Sequence, residues 1–281
     1  MLIVAYNTRD LLLEAIGSVI QEPGVEVIVC DNASQDGSAE AVCRAYPSVR
    51  LIRSADNLGF AGGTNRAASL AQGQLLLLLN PDAALQPGAL DALRVVLAAQ
   101  PRAAAVGPAL IYPDGTPQPA AFRFPGLVQV GLDLFPVPRV MNSRLNGRLH
   151  QTERARPIDH PLGACMLIRR AAWADVGPLD EGYFMYLEEV DWCRRAHARG
   201  WQVWYAPQAV AVHHAGAATR QVPDAMFAQL WRSRLRYYQR FASPVAGRLV
   251  CRLVGLGLRA AERRAGGRRR AAIARVRELV G

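Results

Sequence analysis

The feature that most constrains this chain is a rhythm. Short apolar runs repeatedly give way to a polar turn and then to a segment with helical spacing. "LIVA" (2–5) precedes "RDLLLEAIGSVIQ", "VEVIVC" precedes "SAEAVCRAY", "VRLIR" precedes "AGGTNRAASLA", and "QLLLLL" precedes "GALDALRVVLAA". Apolar runs this short suit strands buried on both faces, and their alternation with helices predicts βαβ units and a mostly parallel α/β sheet. The first strand–helix turn lacks GxGxxG, so no dinucleotide site is expected there. After "AVGPALIY" (105–112) the rhythm breaks. Residues 113–161, rich in Pro, Arg and isolated aromatics, read as a long functional loop with short elements. "LGACMLIRRAAW" resumes strand to helix, "EEVDWCRRAHARG" reads as a helix stopped by Gly200, and the remainder from about residue 220 reads as helical.

A parallel sheet brings the carboxyl ends of its strands to one rim, and ligands of open α/β sheets bind outside those ends. Tyr6 and Asn7 close the first run, Asp31 and Asn32 the second, Asn57 follows the third, and Asp82 follows the fourth. One such cluster is a turn with a helix cap, the common use of Asp, Asn and Ser. Four on one rim point to a ligand crevice.

The net charge of +10 has a location. There is no lysine, so all 33 basic residues are arginine. From Thr219 onward stand 15 arginines against three acids, whereas the preceding residues hold 18 against 20. A nucleic-acid binder would spread arginine along its main domain, so no nucleic-acid partner is expected. The five cysteines are far apart with no CxxC pair, as in a reduced cytoplasmic protein. Met1 runs straight into "LIVAYN", so no secretory leader is expected, and "LLLLL" is far too short to span a bilayer.

The motifs "IVAYN", "CDNASQDGS", "NLGFAGGTNRA", "LLLLNPDA", "GACMLIRRAAWADVGPLDEGYFMYLEEVDWCRRA" and "VHHAG" occur in this order over about residues 2–216. In them the chain resembles glycosyltransferase family 2, with the nearest likeness to its rhamnosyltransferase-like branch, which builds bacterial cell-surface polysaccharides. The resemblance implies a GT-A fold over residues 1–218, followed by a basic helical extension over 219–281. It also implies a nucleotide diphosphate sugar donor (dTDP-rhamnose first, UDP-hexose second), Mg²⁺ or Mn²⁺, inversion at the anomeric carbon, and a glycan or lipid-linked acceptor.

Chemistry can be attached to each motif. Asp31 suits the imide N–H of a pyrimidine base or a ribose hydroxyl, because a carboxylate is a stronger acceptor than any neutral group. Tyr6 offers a ring face, and Asn7 and Asn32 offer polar contacts. Gly59, Phe60, Gly62 and Gly63 read as a glycine-rich turn ahead of a helix, flanked by Asn57 and Asn65, where backbone can approach a ligand closely. The alternative is a turn that packs on a neighbouring element.

Asp82 is the metal candidate, since a hard cation on a diphosphate prefers carboxylate oxygen. "NPD" lacks the first carboxylate of the DxD found in many GT-A enzymes, which leaves room for His213 or His214 as a second ligand; the resemblance implies His213, the position that matches the family. Glu188, Glu189 and Asp191 supply the acid–base candidates. In the family an Asp in the Glu189 slot is the base that deprotonates the acceptor hydroxyl; here the choice between Glu189 and Glu188 stays open. Spacing puts Glu188 and Asp191 on one helix face and Glu189 on another. Arg195 is expected to pair with the diphosphate or to brace the carboxylates.

Leu, Val and Ile alternate with Arg at helical intervals in the tail. That pattern suits either a helix lying on anionic lipid at the inner face of the plasma membrane or a helical hairpin with its arginines in water. Two other functions compete with this one, a nucleotidyltransferase acting on sugar phosphates and a non-enzymatic nucleic-acid-binding protein. The first normally carries a basic glycine-rich loop where this chain has "AYNTRD", and the second leaves the acidic rim without purpose.

Overall fold

The computed structural model describes residues 1–141, 143–149, 152–264 and 266–279; Gly281, the end of the expected extension, lies outside them. The chain opens with β1 (Leu2–Ala5), α1 (Arg9–Gly17), β2 (Ile28–Asp31), α2 (Ser38–Ala45), β3 (Arg50–Arg53), α3 (Gly59–Ala68) and β4 (Leu75–Leu79). Every residue of β1 and β2 is buried, as in strands covered on both faces. β1 pairs parallel with β2 on one side and β4 on the other, and β2 pairs parallel with β3. The strand order therefore reverses direction between β1 and β4. That is the switch point at which an α/β sheet opens a crevice.

Next come β5 (Ala83–Leu85), α4 (Ala89–Ala99) and β6 (Ala103–Ile111). The stretch expected to be a loop with short elements holds β7 (Pro117–Gln118), β8 (Ala121–Phe122), α5 (Leu127–Leu134), β9 (Arg156–Ile158) and β10 (His160–Pro161). Two-turn α5 is the element that its composition hid. Then follow β11 (Cys165–Arg169), α6 (Arg170–Val176), α7 (Glu188–Ala198) and β12 (Gln202–His213). The sheet runs β3-β2-β1-β4-β11-β6-β12-β5. β11 is antiparallel to β4 and β6, β12 is parallel to β6, and β5 is antiparallel to β12. The α/β class and the mostly parallel sheet expected from the rhythm are both present.

The chain ends in α8 (Pro223–Phe241), α9 (Pro244–Arg264) and α10 (Gly267–Arg277). A second apolar cluster joins them to the rest. It unites Val130 of α5, Tyr183 and Leu187 of the loop before α7, Val190 of α7, Trp231 and Leu235 of α8, Val250, Val254 and Leu258 of α9, and Ile273 and Val276 of α10. Leu134 of α5 seats against Gly257 of α9, where an added Cβ would come within 2.6 Å of it.

Candidate active site

β5 is the device that assembles the site. It starts one residue after Asp82 and pairs with the end of β12, setting Ala83 opposite His213. The His214 amide then donates to the Asp82 carbonyl (3.0 Å). His213 and Asp82, distant in sequence, thereby face each other with Nε2 3.4 Å from Oδ1, and both are buried. Beyond His213 the chain turns through Ala215 (φ 58°) and Gly216 (φ 86°), so that the amides of Gly216 and Ala217 both donate to Asp82 Oδ2 at 2.9 and 3.0 Å. Burial pushes the Asp82 carboxyl up, but its contacts with His213 and these two amides outweigh that and hold it below the usual carboxylate range.

The other imidazole nitrogen, Nδ1, lies 2.9 Å from Gln118 Oε1 of β7. A neutral ring that donates from Nδ1 to that oxygen leaves the Nε2 lone pair free for a cation, whereas a ring that donates from Nε2 toward Asp82 is the one that lowers that carboxyl. Nε2 has no hydrogen-bond partner. In the first of these states two buried acceptors face each other, an arrangement that a cation relieves. Asp82 and His213 thus fit a divalent ion as two protein ligands. Among the described residues no group of three or more His, Cys, Asp or Glu could hold a metal, so substrate oxygen and water would complete the shell.

A cavity of about 350 Å³ opens at the β1–β4 switch point. Tyr6, Asn32, Asn57, Gly59, Phe60, Asp82, Glu188, Glu189 and His213, all singled out from sequence, line it. Glu188 and Glu189 open α7, and each is buried with an Oε2 lacking any hydrogen-bond partner. Burial, then the neighbouring Glu189 charge, push Glu188 well above the usual carboxylate range. Burial also raises Glu189, but backbone N–H groups of its own residue, Gly163 and Val190 oppose the rise. Glu189 packs so closely on Gly163 that a Cβ there would sit 3.1 Å from its carboxyl carbon.

The remaining expected residues are placed elsewhere. Asp191 is a correction. It does not line the cavity with Glu188 but is fully buried, held by Arg195 Nε (2.7 Å) and by Arg240 of α8 (3.0 Å). Those two cations fix its direction, and Glu189, expected on a separate face, lines the cavity instead. Arg195 braces Asp191 and donates to the carbonyls of Val176 and Pro178, away from the cavity. Asn65 ties α3 to the Leu179 backbone and to Glu181.

Gly59, Gly62 and Gly63 lie within α3 rather than ahead of it. Gly63 serves packing, since a Cβ there would lie 2.7 Å from Val4 of β1. Gly59 (φ 72°) is required by close approach, because a Cβ would stand 2.2 Å from the Phe184 carbonyl oxygen. Asn7 (φ 51°) accepts from Gln35 N through its side chain and from Gln221 Nε2 through its carbonyl. Asp31, buried one residue before the cavity-lining Asn32, accepts from the Ser34 amide and leaves Oδ1 without a partner.

Sequence reasoning missed Gln118, which faces His213, and the cavity-lining Gly163, Val222 (just before α8) and Met226 (in α8). Only the "DEGYFMY" stretch signalled the loop of Phe184, Met185 and Tyr186 on the same wall. Among the described residues, the non-glycine positions at positive φ are Asn7, Ala33, Tyr186, Leu187 and Ala215. Each sits in a loop that follows β1, β2 or β12 or leads into α7, so the backbone strain is collected around the cavity, where strain is commonly stored.

A family model described as glycosyl transferase family 2 matches residues 1–177. An N-acetylglucosaminyl-diphospho-decaprenol L-rhamnosyltransferase of Mycobacterium tuberculosis is 35% identical over 223 residues, which cover 73% of this chain and 72% of the relative. Among solved structures, the fold is similar to that of a mannosyltransferase from Pyrobaculum calidifontis in complex with GDP-Man and Mn²⁺. There the TM-score is 0.58 at 18% identity, over 99% of this chain and 79% of that one. GalNAc-T7 with UDP, GalNAc and Mn²⁺ gives a TM-score of 0.56 at 16% identity over 75% of this chain; the match spans less than half of that structure, 43%. The fold is GT-A.

Proposed function

The chain belongs to glycosyl transferase family 2, and from that premise we propose that it transfers rhamnose from a nucleotide diphosphate sugar to a lipid-linked or glycan acceptor, with inversion. Family membership makes it a glycosyltransferase and sets aside the nucleotidyltransferase and nucleic-acid-binding alternatives. One observation carries the reading. Three buried polar atoms without partners, Glu188 Oε2, Glu189 Oε2 and His213 Nε2, belong to residues lining one cavity at the sheet's switch point. Buried polar groups are otherwise nearly always satisfied, so these await substrate or ion.

In this reading Asp82 and His213 would hold Mg²⁺ or Mn²⁺, which would supply positive charge to offset that of the leaving diphosphate. Asp31 and Tyr6, with Asn7, Asn32 and Asn57 nearby, take the nucleoside; dTDP is the first candidate and UDP the second. Glu189 is the base. Burial raises both carboxyls, but the backbone donors of Gly163 and Val190 oppose the rise at Glu189 while the neighbouring charge adds to it at Glu188, which supports Glu189 as the more readily ionised of the two. Asp191 and Arg195 hold α7 in place. Residues 1–218 form the GT-A part and 219–281 the helical extension. The lipid-linked acceptor would bring the chain to the inner face of the membrane as a peripheral protein.

The test is a thermal-shift and turnover screen of dTDP-rhamnose, UDP-hexoses and purine nucleotide sugars, with and without Mn²⁺. We expect a dTDP or UDP donor to raise the melting temperature only with Mn²⁺. Asp82→Asn should keep its fold, because the amide oxygen still accepts from Gly216 and Ala217, yet lose both the Mn²⁺ response and transfer. Stabilisation by purine donors alone, or full turnover in excess chelator, overturns the reading.

A further inference from the structure

Helix α9 carries apolar residues on two opposite faces. Val250, Val254 and Leu258 fill the second core, each 1% exposed. On the far side Val245, Leu249 and Leu256 are 69%, 44% and 59% exposed. At about 100° per residue, exposed Arg248, Arg252, Arg259 and Arg263 fall on that same outer face, interleaved with the three aliphatic side chains. No acid shares it; Glu262, the one acid of α9, pairs with Arg277 of α10. An ordinary surface helix keeps its outer face polar, so these aliphatic residues need a cover.

We propose that the outer face of α9 is an interfacial surface that seats the protein on an anionic lipid bilayer, the aliphatic side chains entering the headgroup boundary and the arginines meeting lipid phosphates. The proposal rests on the reading of a lipid-linked acceptor and adds to it the surface that brings the enzyme there. Charge decides the occupant. In a twofold dimer the patch would face itself, setting four arginines against four with no acid to offset them. Single-stranded nucleic acid would meet aliphatic residues where stacking needs aromatic ones. An anionic bilayer matches both components.

The full chain is floated with phosphatidylcholine vesicles and with 70:30 phosphatidylcholine:phosphatidylglycerol vesicles, at low and at physiological salt. We expect retention on the anionic vesicles alone, weakening with salt. Each arginine near such a surface contributes about five-fold in affinity, so Arg252→Glu/Arg259→Glu should reduce binding at least roughly twenty-fold. Leu249→Ser/Leu256→Ser should reduce it at both salt levels. All four residues are exposed and outside the active site, so melting temperature and turnover on a soluble acceptor should match the parent in both variants. Parent-like vesicle binding by either variant overturns the proposal, as does absence of binding at low salt. A concentration-dependent dimer abolished by Leu249→Ser/Leu256→Ser overturns it in favour of self-association. Loss of turnover with vesicle binding intact would count against the catalytic reading instead.

Discussion

At the scale of single residues, the site separates two adjacent carboxyls by their surroundings. Glu189 receives backbone donors that oppose its desolvation, whereas Glu188 meets burial and its neighbour's charge. General-base catalysis contributes about 10²–10⁴-fold. Glu189→Gln should therefore lower turnover by about that factor and leave donor affinity unchanged, since the base acts on the acceptor. Glu189→Asp should keep part of the activity. Because the Glu189 carboxyl is raised, parental turnover should fall as pH drops through a value above the ordinary carboxylate range. Glu188→Gln behaves differently. A carboxyl whose folded pKa is raised stabilises the fold below its unfolded pKa of about 4.3 and loses that contribution as pH rises through the folded value. The variant should thus melt a few degrees above the parent at neutral pH, and the gap should close in acid. Calorimetry across pH checks this, and pH–rate profiles of both variants check the base. A parental rate in Glu189→Gln with a dead Glu188→Gln would reverse the two roles.

At the scale of elements, legibility in the sequence follows the source of each element's stability. β1, β2 and β4 are legible because strands buried on both faces leave unbroken apolar runs. β5 is not, because its three residues form a strand only by pairing with β12, and that pairing is what sets His213 beside Asp82. α3 reads as starting later than it does because Gly59 looks like a turn, whereas its role is to admit the Phe184 carbonyl. Asp191 shows the limit most clearly. Helical spacing gives its position on α7 and the i+4 partner Arg195, but not the second partner, Arg240, which comes from α8. Arg240 bridges Asp191 and Asp180, and Arg236 holds both oxygens of Asp180. This network ties α8 to the helix that begins with Glu188 and Glu189, the carboxyls proposed for catalysis. Arg240→Ala should cost about 1–2 kcal/mol of stability, the low end for a charged hydrogen bond because Arg240 is part-exposed. It should also lower kcat about ten-fold by analogy with small misplacements of a catalytic group, with KM for the donor little changed. Arg240→Lys should restore part of both. Denaturant melts and steady-state kinetics on the three proteins decide it, and an Arg240→Ala enzyme with parental kcat would show that the network only holds α8.

At the scale of the whole molecule, the question is whether the chain divides at residue 218, where the sequence motifs end. Three couplings argue that the two parts work as one. Tyr183, Leu187 and Val190, which lead into and begin α7, are buried in the cluster formed with α8, α9 and α10. Val222 and Met226 close part of the cavity wall. Arg240 supplies one of the two cations that hold Asp191. A chain of residues 1–218 alone would expose those three apolar side chains at about 1.5–3 kcal/mol each. It would also leave Asp191 with Arg195 only. Set against a typical stability of about 5–15 kcal/mol, the loss consumes much of what holds a domain together, and it falls on the segment that positions Glu188 and Glu189. Residues 1–218 should therefore melt at least 10 °C below the full chain, by the scaling of about 2–4 °C per kcal/mol, and turn over donor at least 100-fold more slowly. Circular dichroism melts and donor turnover on the two chains measure this directly. If residues 1–218 melted and turned over like the full chain, the couplings through Tyr183, Met226 and Arg240 would be incidental, and the helical extension would be a separable appendage whose only task lies on the outer face of α9.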